Sequence, residues 1–141
     1  MRSLSHLDNS QSAGALVDKA VHYESVIKMD SRTVPGVAFH INKVSFGRRM
    51  ELSRQIRDIS KKTEFLDAGN QLSEKIETSL LAQEIDAMYL RWGLIKIDGL
   101  LIDGQIATVA ELIDKGPEDL MREIVNAIRT QCGLSDSERK N

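Results

Sequence analysis

The sequence predicts a single, mainly α domain with a small β component: a central helical hairpin, short β-hairpins and a C-terminal helix. Three observations predict it. Residues 71–92 carry two apolar stripes at helical spacing, with Leu72, Ile76, Leu80, Ala87 and Leu90 on one side and Leu81, Ile85, Met88 and Trp92 roughly opposite. The chain of 141 residues is 41% hydrophobic but only 4% aromatic and has two prolines, a Leu/Ile/Val/Met composition that leans to helix. Two short segments, residues 21–29 and 37–41, instead alternate strictly in the manner of strands.

The helix over 71–92 organises the rest. An amphipathic surface helix has one core-facing stripe, so a helix with two is expected to be a strut covered on both sides, with Ile76 and Ile85 on opposite buried flanks.

Residues 1–20 are rich in Ser, Asn, Asp and Gly without a sustained apolar period, and read as an N-terminal arm before a domain over 21–134. In the first strand Val21, Tyr23, Ser25, Ile27 and Met29 share a face. Turn chemistry at 30–36 joins it to Val37, Phe39 and Ile41, making a hairpin. Two strands alone are marginal in water, so the hairpin needs helices or further strands against it.

Ser45 is placed to cap a helix over 46–68, with Leu52, Ile56, Ile59, Thr63 and Leu66 inward and Gly69 as its stop. Its other side carries Arg54, Arg57 and Lys61 beside Phe65. Over 47–62 basic residues dominate, whereas Glu64, Asp67, Glu74, Glu77, Glu84 and Asp86 face Lys75 alone over 64–87. The short break at Gly69-Asn70 folds the two helices into an antiparallel hairpin, which the opposite charges help to select.

Gly93 follows as a helix C-cap. Asp98-Gly99 and Asp103-Gly104 both have type I′ turn composition, and Asp103-Gly104 is the favoured hairpin, pairing 100–102 with 105–107. Thr108 and Glu111 form a capping-box pattern. Gly116-Pro117-Glu118-Asp119 opens a last helix with stripe Leu120, Met121, Ile124, Val125, Ile128 and Cys132, stopped at Gly133-Leu134. Residues 135–141 form a polar tail.

The net charge of −2 argues against a dedicated nucleic-acid binder, though a local basic face remains compatible with it. One cysteine precludes an internal disulfide and suits a reducing cytoplasm. No membrane-length apolar run or secretion signal occurs. His6, His22 and His40 are scattered without metal-ligand spacing, and Cys132 lies in an apolar stripe, as a structural thiol does. No phosphate-binding glycine spacing occurs, and Glu84, Asp86 and Arg91 read as ordinary helix-surface charges. The expectation is a non-enzymatic protein with no cofactor and no metal.

Two features suit binding instead. The basic row Arg54, Arg57 and Lys61 with Phe65 fits an acidic partner helix or a phosphate backbone, against the plainer reading of a solvated helix face. The apolar surplus at Leu81, Ile85, Met88, Tyr89 and Trp92 would serve as an oligomer or client surface wherever the C-terminal helix leaves it bare, the alternative being core packing.

The run Ala87-Met88-Tyr89-Leu90-Arg91-Trp92-Gly93, followed by Gly99-Leu100-Leu101-Ile102-Asp103-Gly104 and Gly116-Pro117-Glu118-Asp119-Leu120, resembles a group of small prophage-encoded proteins, the tail assembly chaperones of long-tailed phages. Pro35-Gly36-Val37, Gly47-Arg48-Arg49 and the ending from Leu134 to Asn141 fit the same group, so the resemblance spans residues 24–141. It implies binding of the tape-measure protein and help to tail-tube protein polymerising around it, in the host cytoplasm. It brings no catalytic or residue-level binding motif. A phage structural connector, or a nucleic-acid-associated module using the basic helix face, is the alternative. The resemblance also implies a frameshifted long form, for which Arg139-Lys140-Asn141 would lie on an A-rich slippery sequence; a Lys140 codon other than AAA would exclude it.

Overall fold

The computed structural model describes residues 19–61 and 71–133. In chain order they form β1 (Val26–Asp30), β2 (Ala38–Asn42), α1 (Phe46–Ser60), α2 (Gln71–Gly93), β3 (Leu94–Asp98), α3 (Val109–Lys115) and α4 (Glu118–Gln131). Helices dominate and the strands make one small antiparallel sheet, ordered β1-β2-β3, as the predicted fold class requires.

The first hairpin pairs Ile27 with Ile41 and Met29 with Phe39, and Phe39 in turn pairs with Ile97 of β3. These side chains form the sheet's inner face, against the buried core. The marginal two-stranded hairpin therefore gains its third strand from elsewhere in the chain, the segment directly after α2, ahead of the Asp103-Gly104 hairpin. β1 starts at Val26 rather than 21, because β2 ends opposite it at Asn42. Val21 and Tyr23 consequently lie exposed.

The β1–β2 turn is tied to α4. Ser31 Oγ accepts from the amides of Thr33 and Val34 and donates to Glu123 Oε1 at 2.6 Å, while the Arg32 amide donates to Glu123 Oε2 at 2.7 Å. Burial pushes the Glu123 carboxyl up, but the hydrogen bonds from Ser31, Arg32 and Thr33 outweigh it and hold the group below its ordinary value of 4.5. Asp98 is lowered too, chiefly by its bond to His40 and, against a smaller desolvation effect, by Lys96. A carboxylate depressed in the fold contributes stability above its unfolded pKa and loses it as pH falls through the folded one. Acid titration of stability is therefore expected to show a decline below about pH 4.5, and Glu123→Gln to flatten part of it while costing about 1 kcal/mol at neutral pH. An unchanged acid slope in the variant would contradict this.

α1 begins as predicted: Ser45 accepts from the Arg48 amide, and Leu52 is buried with Ile56 and Ile59 partly so. The predicted continuation through Thr63, Phe65 and Leu66 to Gly69 lies outside the described residues. Arg48 donates to the carbonyl of Trp92, so the start of α1 meets the end of α2.

α2 runs directly into β3. Gly93 has no left-handed φ, in contrast to Gly36, Gly99, Gly104 and Gly133, and so is not the expected cap. It is a contact point: a Cβ there would lie 2.9 Å from Ile128 Cδ1 and Cγ2. Of the two Asp-Gly pairs, only Asp103-Gly104 has both residues at positive φ (51° and 79°), closing a minimal hairpin through reciprocal Ile102–Gln105 bonds of 2.9 and 3.0 Å. The capping box at Thr108 and Glu111 forms. α4 buries all six residues of its predicted stripe, with Pro117 as N-cap rather than first helical residue. Gly133, at φ 72°, ends it.

The expectation of a strut covered on both flanks holds for only half of α2. Met88, Tyr89, Leu90 and Trp92, which between them face all round the helix, are buried. Leu72, Ile76 and Leu80 are 69%, 54% and 46% exposed. Helix length supplies the reason. With 23 residues α2 is about 35 Å long, whereas the 14 of α4 reach about 21 Å, so the C-terminal helix cannot cover it.

Candidate protein-binding surface

The N-terminal half of α2 presents a row of aliphatic side chains to water. Leu72, Ile76 and Leu80 stand four residues apart, each a turn further along nearly the same line, and their exposure falls steadily toward the body of the protein. Glu77 and Glu84 run along one edge of the row, both exposed. Further along α2 the same side enters a shallow cleft against α4, lined by Ala87, Leu90, Met121 and Val125. Two ion pairs border it, Arg129–Asp86 and Arg122–Glu118, each 2.6 Å. The result is an aliphatic track that begins bare and ends between two helices. Its shape suits an amphipathic helix laid lengthwise.

The outer side of α1 carries the predicted basic row. Arg54, Arg57 and Lys61 are exposed, and Arg57 lies 3.3 Å from Asp58 of its own helix. Phe65, predicted to stand beside them, lies outside the described residues. Phe46 and Met50 continue the row toward the helix start, 86% and 45% exposed. The sequence reading overlooked these two, although their four-residue spacing into Arg54 was a visible signal.

Tyr89 and Trp92 need correction as partner-binding residues. They are 1% and 6% exposed, and each lies beneath a guanidinium: Arg129 is 4.8 Å from the Tyr89 ring centroid and Arg48 4.4 Å from that of Trp92. The core-packing reading applies to both. Arg48 and Arg49, counted with the basic face in sequence, turn inward instead. Arg48 donates to the Trp92 carbonyl and Arg49 to that of Cys132 at 2.8 Å, so two cations in the first turn of α1 serve the carbonyl ends of α2 and α4. That placement is unfavourable for α1's own dipole and favourable for the other two.

Cys132 is a buried thiol. Burial pushes its pKa up, against the opposing charges of Arg49 and Arg48. Alkylation by iodoacetamide is expected to be much slower in the native protein than in urea-unfolded chain; equal rates would show that the thiol is open.

No family model, curated protein or solved structure matches this chain. No helix among the described residues is long and apolar enough to cross a membrane. The surface chemistry of α1 and α2 therefore carries the functional argument.

Proposed function

We propose that this protein is a non-enzymatic tail assembly chaperone of a phage or prophage, acting in the host cytoplasm, which holds apolar helical segments of the tape-measure protein and assists tail-tube assembly. One observation carries the reading: the uncovered track Leu72-Ile76-Leu80, leading into the α2–α4 cleft. Exposed apolar surface flanked by charge is the equipment of a protein that keeps another chain's helices from aggregating. The sequence resemblance supplies the identity of the client.

Co-expression with the tape-measure protein tests it. The client is expected to remain in solution and co-purify with the chaperone, and Leu72→Ser with Ile76→Ser and Leu80→Ser to abolish this while leaving the chain folded. Mature particles are expected to lack the protein. Its retention there in stoichiometric amounts would establish the connector reading instead. The exposed Arg54, Arg57 and Lys61 favour a second reading, nucleic-acid association. A DNA mobility shift that weakens steeply with salt would support it over the first.

A further inference from the structure

The two exposed faces of the helical hairpin are complementary to each other. On α1 the row reads Phe46, Met50, Arg54, Arg57 and Lys61: apolar in the first turns and basic beyond. On α2 it reads Leu72, Ile76 and Leu80, with Glu77 and Glu84 along the edge. Set side by side in the same direction, with Phe46 level with Leu72, the pattern brings Met50 level with Ile76. Arg54 then falls beside Leu80 and Glu77, where its aliphatic stem covers the one and its guanidinium meets the other. Arg57 and Lys61 bracket Glu84. Apolar turns meet apolar turns, and cations meet carboxylates.

A single molecule cannot make this contact. Within one molecule the start of α1 meets the end of α2, as the Arg48–Trp92 bond places them, whereas the matching register sets Phe46 level with Leu72 at the other end of α2. The α1 row also lies opposite the face that buries Leu52, and therefore points away from its own α2. We infer that a second copy of this chain docks its α1 outer face on the α2 track of the first, head to tail. Because the two surfaces differ, each added copy leaves one of each kind free, and the contact propagates to a ring or an open chain rather than closing as a two-fold dimer. The inference does not depend on the identity of any client. A client helix on the same track competes with the incoming copy, which couples disassembly to loading.

Sedimentation velocity of the full chain over a concentration series at low ionic strength tests it, with two charge-reversed variants. One changes the α1 face (Arg54→Glu with Arg57→Glu), the other the α2 face (Glu77→Arg with Glu84→Arg). All four positions are exposed, and circular dichroism checks that the fold survives. Wild type is expected to associate beyond the dimer as concentration rises, and each variant alone at least about tenfold more weakly. In their mixture the two intact faces pair with each other and so do the two reversed faces, so the mixture is expected to regain association beyond the dimer. A chain carrying all four changes is expected to assemble again. A wild type that stays monomeric would overturn the proposal, since the track is then covered in cis or kept for a different partner. So would a variant of one face that associates like wild type while the other does not, the mark of a two-fold contact. Failure of the client to co-purify leaves these readouts unchanged, and the reverse also holds.

Discussion

Replacing Gly99 with alanine is expected to destabilise the protein by about 2 to 4 kcal/mol, read as a lowered urea midpoint at unchanged slope. Two effects combine there. Gly99 sits at φ 83°, where an L side chain is strained, and a Cβ would lie 2.3 Å from the carbonyl oxygen of Gly36. That oxygen belongs to backbone, in the turn whose neighbouring residues are pinned to Glu123, so it has little freedom to withdraw. Gly104 provides the control. Its φ of 79° is nearly the same, but nothing lies within 4 Å of an added Cβ. Gly104→Ala is expected to cost only the conformational part, about 1 kcal/mol. Equal losses at the two positions would show that the close approach of Gly99 to Gly36 contributes nothing.

Gly93→Ala is expected to cost about 1 to 3 kcal/mol, and to do so through one neighbour. The added methyl would lie 2.9 Å from Ile128 Cδ1 and Cγ2 and 3.0 Å from Cγ1. Ile128 is fully buried, so its side chain cannot swing into solvent. Ile128→Ala alone is expected to cost about 2 to 5 kcal/mol by leaving a cavity. The double variant places a methyl into part of the space that the isoleucine vacates, so its loss is expected to fall below the sum of the single losses by about 1 kcal/mol or more. Strict additivity would mean that α2 and α4 move apart instead of colliding at this point.

Where a residue's role is set by its near neighbours in sequence, the sequence announced it. The α4 stripe from Leu120 to Cys132 is one-sided and periodic, and it is buried in full. Thr108 with Glu111, and Asp103 with Gly104, are local devices whose partners lie within three residues in sequence. What was hidden depends on distant partners. Gly93 has the composition of a helix stop, but the close approach of Ile128 from α4 is what requires it. Residues 94–98 read as strand-like, but nothing in them says that the free edge of β2 is near, which is what makes β3 the third strand. The two stripes of α2 are legible, but their cover depends on the length of α4, which is set by a distant part of the chain. Tyr89 and Trp92 were singled out as aromatic contact residues, and the arginines that cover them come from α4 and α1. The basic row at Arg54, Arg57 and Lys61 is exposed, and Phe46 and Met50 extend it with apolar side chains.

The inward-turned arginines of α1 have a consequence for how stability is spread through the molecule. Arg48 and Arg49 join three helix ends at a single junction, whereas Leu72, Ile76 and Leu80 in the opposite half of α2 stay exposed. Amides near Trp92 are therefore expected to exchange more slowly than those near Ile76, where opening exposes little additional apolar surface. Protection against hydrogen exchange would descend along its length like a gradient. The aliphatic track is borne by the part of the helix that can remodel itself around an incoming chain at least energetic cost.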